Sequence, residues 1–191
     1  GCWESLAAAI EAGATSVYFG IEHLNMRSRS SANFTTQDLH TIVERCQAVG
    51  VKTYLTLNTV MYPEDLPLMR EIVDHAKTAN VSAIITSDIA ALQYAYQSGV
   101  EVHLSTQLDI PNTEALKFYA QYADVVVLAR ELNMEQVASI YRDILEQDIR
   151  GPKGELIRIE MFCHGALCMA VSGKCYLSLN NLGASANRGT C

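Results

Sequence analysis

Four of the six cysteines of this chain fall in its last thirty-two residues, spaced Cys168-x6-Cys175-x15-Cys191 with Cys163 five residues ahead. They lie in a stretch rich in Gly, Ser and Asn, just beyond an apolar run (Leu156, Ile157, Ile159, Met161, Phe162) that reads as a buried strand. Thiolates crowded after a strand end point to ligation of a soft metal or an iron–sulfur cluster. A buried free cysteine also behaves as a small hydrophobe. That account suits Cys2, and it suits Cys46, which shares a helical face with Leu39, Ile42, Val43 and Val49. It suits Cys168, Cys175 and Cys191 poorly, because turn residues surround them. A disulfide framework belongs to shorter secreted chains that cannot build a core without staples. The spacing also lacks the two close pairs of a structural zinc site.

The residues around these cysteines carry a resemblance. The segment Glu160-x-Phe162-x-x-Gly165-Ala166-Leu167-Cys168-x4-Gly173-x-Cys175-x-Leu177-Ser178 resembles the signature of peptidase family U32, the collagenase-like proteases. Asn187-Arg188-Gly189-Thr190-Cys191 resembles the family's next block, and the likeness extends back to the first residues. Several members of that family are oxygen-independent hydroxylation factors acting on tRNA, ribosomal RNA or a quinone precursor. The resemblance implies a [4Fe-4S] cluster held by Cys168, Cys175, Cys191 and a fourth cysteine supplied from beyond this chain. It implies a piece of a longer protein, since the sequence lacks an initiator Met and opens directly on a helix.

What must position these residues is an alternation of strands and helices. Apolar β-type runs begin at 15, 51, 82, 101, 124 and 156, intervals of 36, 31, 19, 23 and 32 residues. Between them, helical periodicity is predicted over 38–49, 65–79, 88–98, 113–122 and 134–146. A (β/α)8 barrel allots roughly thirty residues to each unit. Phe19-Gly20-Ile21-Glu22-His23 has no G-x-G-x-x-G turn, which disfavours a dinucleotide-binding sheet. The expectation is therefore an α/β fold, a TIM-type (β/α)8 barrel truncated to about six βα units. Residues 1–162 form the partial barrel, and 163–191 form a cysteine-rich, cluster-binding loop that continues the same domain.

In such a barrel, chemistry sits at the C-terminal ends of the strands. The polar residues there are Tyr18 with Asn25 and Arg27, Asn58-Thr59, Ser87-Asp88, His103 with Ser105-Thr106-Gln107, Arg130-Glu131, and Glu160 with His164. Each has a plainer explanation. Ser87-Asp88 caps the next helix, Asn58 satisfies loop backbone, His103 is structural, and Arg130-Glu131 is a local ion pair. Their recurrence at one end of successive strands favours a site. Glu160, His164 and Arg130 are the catalytic candidates, with His164 four residues from Cys168 and able to move protons. Arg188, His103, Gln107 and Asn58 are the substrate-binding candidates, and Arg130 and Arg188 suit a small anionic hydroxyl donor or a phosphate.

The net charge of −7 opposes wholesale nucleic-acid binding. Residues 1–141 hold 8 basic and 16 acidic side chains, whereas residues 142–191 hold 6 and 5. The cysteine end is the least acidic part, which permits an RNA partner. No apolar run reaches membrane-span length, and free thiols fit a reducing compartment, so a cytoplasmic protein without a membrane partner is expected. There is no H-E-x-x-H and no G-x-S-x-G. The favoured reading is an iron–sulfur enzyme or subunit that hydroxylates RNA, tRNA before ribosomal RNA. The alternatives are a collagenase-like peptidase, a hydrolase acting through a Cys168–His164 pair, and a non-catalytic protein stabilised by a structural metal.

Overall fold

The structure is a computed structural model that describes residues 1–29, 32–165 and 168–191. Six strands, β1 (Ser16–Gly20), β2 (Lys52–Leu57), β3 (Ala83–Thr86), β4 (Val102–Leu104), β5 (Val125–Val127) and β6 (Arg158–Glu160), pair in parallel in sequence order. A doubly wound sheet would break that order at a switch point. Here each strand is added on the same side as the last, which curls the sheet into a half-barrel. The helices are α1 (Trp3–Glu11), α2 (Asp38–Gln47), α3 (Leu66–Thr78), α4 (Ile89–Gln97), α5 (Thr113–Ala120), α6 (Met134–Glu146) and the short α7 (Leu177–Leu182). The alternation read from the sequence holds, and α6 has the bounds expected. The last strand is shorter than the apolar run 156–162: only three residues pair with β5, and Met161 and Phe162 are exposed.

Local chemistry explains the boundaries. Asp88, Asn112 and Asn133 each accept a hydrogen bond from a backbone N–H in the first turn of the helix that follows, and Gln136 returns the bond to Asn133. Helical spacing then aims one stripe at the sheet: Leu39, Ile42, Val43 and Cys46 from α2, Met69, Ile72, Val73 and Ala76 from α3, Val137, Ile140 and Ile144 from α6. Opposite them, alternate strand residues such as Leu55, Leu57, Ile84, Val102, Leu104 and Val126 point outward and are buried. The core therefore lies between the helices and the convex face of the sheet, and Cys46 is one of its members.

At the other end of the strands, Glu101 ties β4 to the β5–β6 connection. Its carboxylate meets Nε2 of His103 at 3.0 Å, Arg158 at 2.7 Å and the Lys153 ammonium, and its side chain is 15% exposed. His103 beside it, assisted by Lys153, holds the carboxyl far below the ordinary carboxylate range. A depressed carboxyl stabilises the fold above its unfolded value near 4.5 and loses that contribution as the pH falls from there. Glu101→Gln should lower unfolding free energy at pH 7 by about 2 kcal/mol. Denaturant melts of the two proteins should converge as the pH drops below 4.5. A constant difference down to strongly acidic pH would show that charge is not what Glu101 contributes.

Candidate functional site

The C-terminal ends of β1, β2, β4 and β5 are joined to one another by the cysteine-bearing segment, which lies across them. Arg130, just beyond β5, donates to the carbonyl of Ala170 at 2.8 Å, the carbonyl of Cys168 at 3.5 Å and Oγ of Ser172 at 3.3 Å. Glu131 accepts from the Ser172 N–H at 2.9 Å and from its hydroxyl. Burial alone would raise the Glu131 carboxyl, but these bonds from Ser172 and the neighbouring Arg130 bring it below its ordinary range. Ser172 is only 1% exposed. The Arg130-Glu131 pair is thus a clamp on a remote loop rather than a local ion pair.

Next along the segment, Gly173 packs on the backbone of Gln107, beyond β4. Its φ of +75° and the Gln107 carbonyl oxygen facing it leave no room for a Cβ. Asn187 then bridges inward, donating its side-chain amide to the Gly173 carbonyl while its own carbonyl accepts from the Val60 N–H at 3.0 Å. Arg29 donates to the carbonyl of Gly189, and Cys191 donates to that of Met26 at 3.1 Å. Arg188 pairs with Asp65 at 2.5 Å, donates to the carbonyl of Val60 and stacks 4.5 Å over the Tyr62 ring. That guanidinium holds the Asp65 carboxyl below its usual value.

The candidates named from sequence divide accordingly. Arg130, Gln107 and Arg188 contact or carry the docked segment. Asn58 takes the backbone N–H of Met26 on its side-chain oxygen, which fixes the β1 loop. Glu160 and His103 line the inner face of the half-barrel instead, with Arg158. His103 lies within β4 and bonds toward the N-terminal strand end, away from the mouth where its sequence position had placed it. His164 is exposed in a bend. Ser172, Asp65 and Glu101 were missed: Ser172 and Asp65 act through partners 41 and 123 residues away, Glu101 joins nearby His103 to Lys153 and Arg158, 52 and 57 residues on, and only Gly173, inside the signature, carried a sequence signal.

Cys163, Cys168 and Cys191 are exposed and Cys175 is half-buried. The Ala170 N–H and the Arg130 guanidinium lower the Cys168 thiol, whereas burial pushes Cys46 up. The donors are those a soft metal takes. Their placement is not yet a chelate: among the described residues no three His, Cys, Asp or Glu side chains gather closely enough to hold an ion. Ala166 and Leu167 of the signature lie outside the described residues.

The sequence matches peptidase family U32 over residues 1–191. The chain belongs to that family. Among relatives of this U32 chain, a collagenase of Porphyromonas gingivalis strain W83 is 65% identical over 191 residues, covering 100% of the chain and 46% of that protein. The 23S rRNA 5-hydroxycytidine synthase of Escherichia coli K12 is 37% identical over 185 residues, covering 96% and 26%. A tRNA hydroxylation protein of Bacillus subtilis 168 is 32% identical over 191 residues, covering 98% and 42%. The U32 chain spans less than half the length of these relatives. The solved structure of a U32 peptidase superposes with a TM-score of 0.61 at 16% identity, covering 73% of this chain and 61% of that one, which shows a shared fold. The relatives' names are those of enzymes. No helix among the described residues is long and apolar enough to cross a membrane.

Proposed function

We propose that this U32 chain is part of an enzyme that hydroxylates RNA, tRNA before ribosomal RNA, in the cytoplasm. One observation carries the reading. The segment bearing Cys168, Cys175 and Cys191 is seated on the C-terminal strand ends, the face on which (β/α) barrels do their chemistry. Relatives named for rRNA and tRNA hydroxylation support the choice of reaction. In this reading the three cysteines are thiolate donors to a [4Fe-4S] cluster whose fourth ligand comes from outside this chain. Such a cluster would supply electron transfer. Arg130 and Glu131, together with Arg188 on Asp65, hold the segment in place, and Glu160 and His164 handle protons.

The test is a gene deletion followed by nucleoside mass spectrometry of tRNA and ribosomal RNA, with binding of the full-length protein to tRNA measured over a salt series. The expected result is loss of one hydroxylated nucleoside, its return on complementation, and affinity that falls linearly on a log–log plot against salt. Unchanged nucleosides, no salt-dependent tRNA affinity and sustained cleavage of gelatin would overturn it in favour of a peptidase.

A further inference from the structure

The cysteine segment is gripped most closely at Ser172, four residues after Cys168 and three before Cys175. Glu131 takes the Ser172 N–H at 2.9 Å on one carboxylate oxygen and the hydroxyl at 3.1 Å on the other. A serine hydroxyl has one proton to give and two lone pairs. With the proton committed to Glu131, a lone pair is left for Nε of Arg130 at 3.3 Å. The guanidinium is planar and rigid, so seating Nε directs the other two nitrogens. They reach the carbonyl of Ala170 at 2.8 Å and, more weakly, that of Cys168 at 3.5 Å. Holding a carbonyl fixes its peptide plane, because the bond to the next nitrogen does not rotate freely. With the backbone held, the Cys168 sulfur can take only the few positions of its staggered rotamers.

We propose that Glu131 is a positioning residue for Cys168, acting through the Ser172 hydroxyl and the Arg130 fork to aim that thiolate. The inference rests on the reading of Cys168 as a cluster ligand and adds what orients it. Geometry, not charge, is what Glu131 contributes. Its oxygens go to Ser172 and the Arg130 nitrogens go to Ser172 and two carbonyls, so the two side chains do not spend these bonds on each other. All five bonds are made within this chain, between residues 38 to 42 apart. Ser172 itself is 1% exposed, so a hydroxyl deprived of Glu131 has no water at hand to take its place. Replacing a residue that orients a metal ligand without touching the metal changes affinity by about 10–100-fold.

The experiment compares wild type, Glu131→Ala, Glu131→Gln and Glu131→Asp in the full-length protein purified without oxygen. It reads the rate at which bound iron passes to a chelator, with amide exchange of the strands as the check on folding. Gln keeps the length of Glu and an acceptor for the Ser172 N–H, but not the charge. Asp keeps the charge and falls one methylene short. Glu131→Ala and Glu131→Asp should release iron about tenfold faster than wild type. Glu131→Gln should stay near wild type, and the strand amides should keep their protection in all four proteins. Rescue by Asp in place of Gln would assign Glu131 an electrostatic role and overturn the proposal. A loss of strand protection that matches the faster release would reduce Glu131 to fold stability and overturn it too. Equal release by all four proteins overturns it and leaves the cluster reading standing. A wild type that holds no iron removes both.

Discussion

Gly173→Val is expected to release the cysteine segment from the barrel while the six strands stay folded. The side chain is forced into the left-handed region at φ +75°, which costs a β-branched residue more than about 1–2 kcal/mol. Its Cβ also meets the backbone carbonyl of Gln107, which no rotamer change can move aside. The bonds made by its neighbours go with it: Ser172 to Glu131, Ala170 to Arg130 and the Gly173 carbonyl to Asn187. None of these holds the core, which lies on the convex side of the sheet. Amide exchange is the readout. Val60 and Arg29, whose N–H groups donate to Asn187 and Gly189, should exchange at least tenfold faster, together with Ser172 and Cys191, while the strand amides keep their protection. Gly173→Ala should fall between. Unchanged protection of Val60 and Arg29 in the valine variant would show that the segment is held by other means.

If the proposed cluster reading holds, Cys168→Ser and Cys191→Ser, made separately in the full-length protein, should each abolish RNA hydroxylation and remove bound iron, to the same degree. A cluster loses its integrity when any one thiolate is replaced, so the two changes act on one object. Cys46→Ser tests the contrast. Cys46 is fully buried among Leu39, Ile42 and Val43, so the substitution destabilises the fold by about 1–2 kcal/mol and leaves iron and activity per folded molecule intact. The measurements are iron and sulfide content under anaerobic purification and recovery of the modified nucleoside in the deletion strain. If Cys168→Ser alone eliminates activity, and what is lost is gelatin cleavage, a nucleophilic thiol replaces the cluster.

Much of the fold was legible because its signals are local. The stripe of Val137, Ile140 and Ile144 and the capping pair Asn133–Gln136 define α6 within thirteen residues. The absence of a G-x-G-x-x-G turn after Phe19 pointed away from a dinucleotide-binding sheet before any tertiary contact was known, whereas the strand spacing alone suited either an open sheet or an incomplete barrel. The short β6 was not legible. Five apolar residues within 156–162 say that something will bury the stretch, but its paired length depends on a neighbour, β5, that offers only three residues.

The candidate site divides in the same way. Cysteine type, spacing and the surrounding turn residues single out 163–191 in the sequence as the expected place for chemistry, because thiol donors and loop composition are properties of the chain itself. Where that segment lies, and what each charged neighbour does, required the three-dimensional fold. Arg130 and Glu131 are adjacent in sequence, yet both spend their hydrogen bonds on residues 168–172. Arg188 reaches Asp65 across 123 residues, and His103 turns to Glu101, not to the mouth. A side chain's type sets which partners it can take. The winding of the barrel decides which of them is within 3 Å, and that cannot be read from neighbours along the chain.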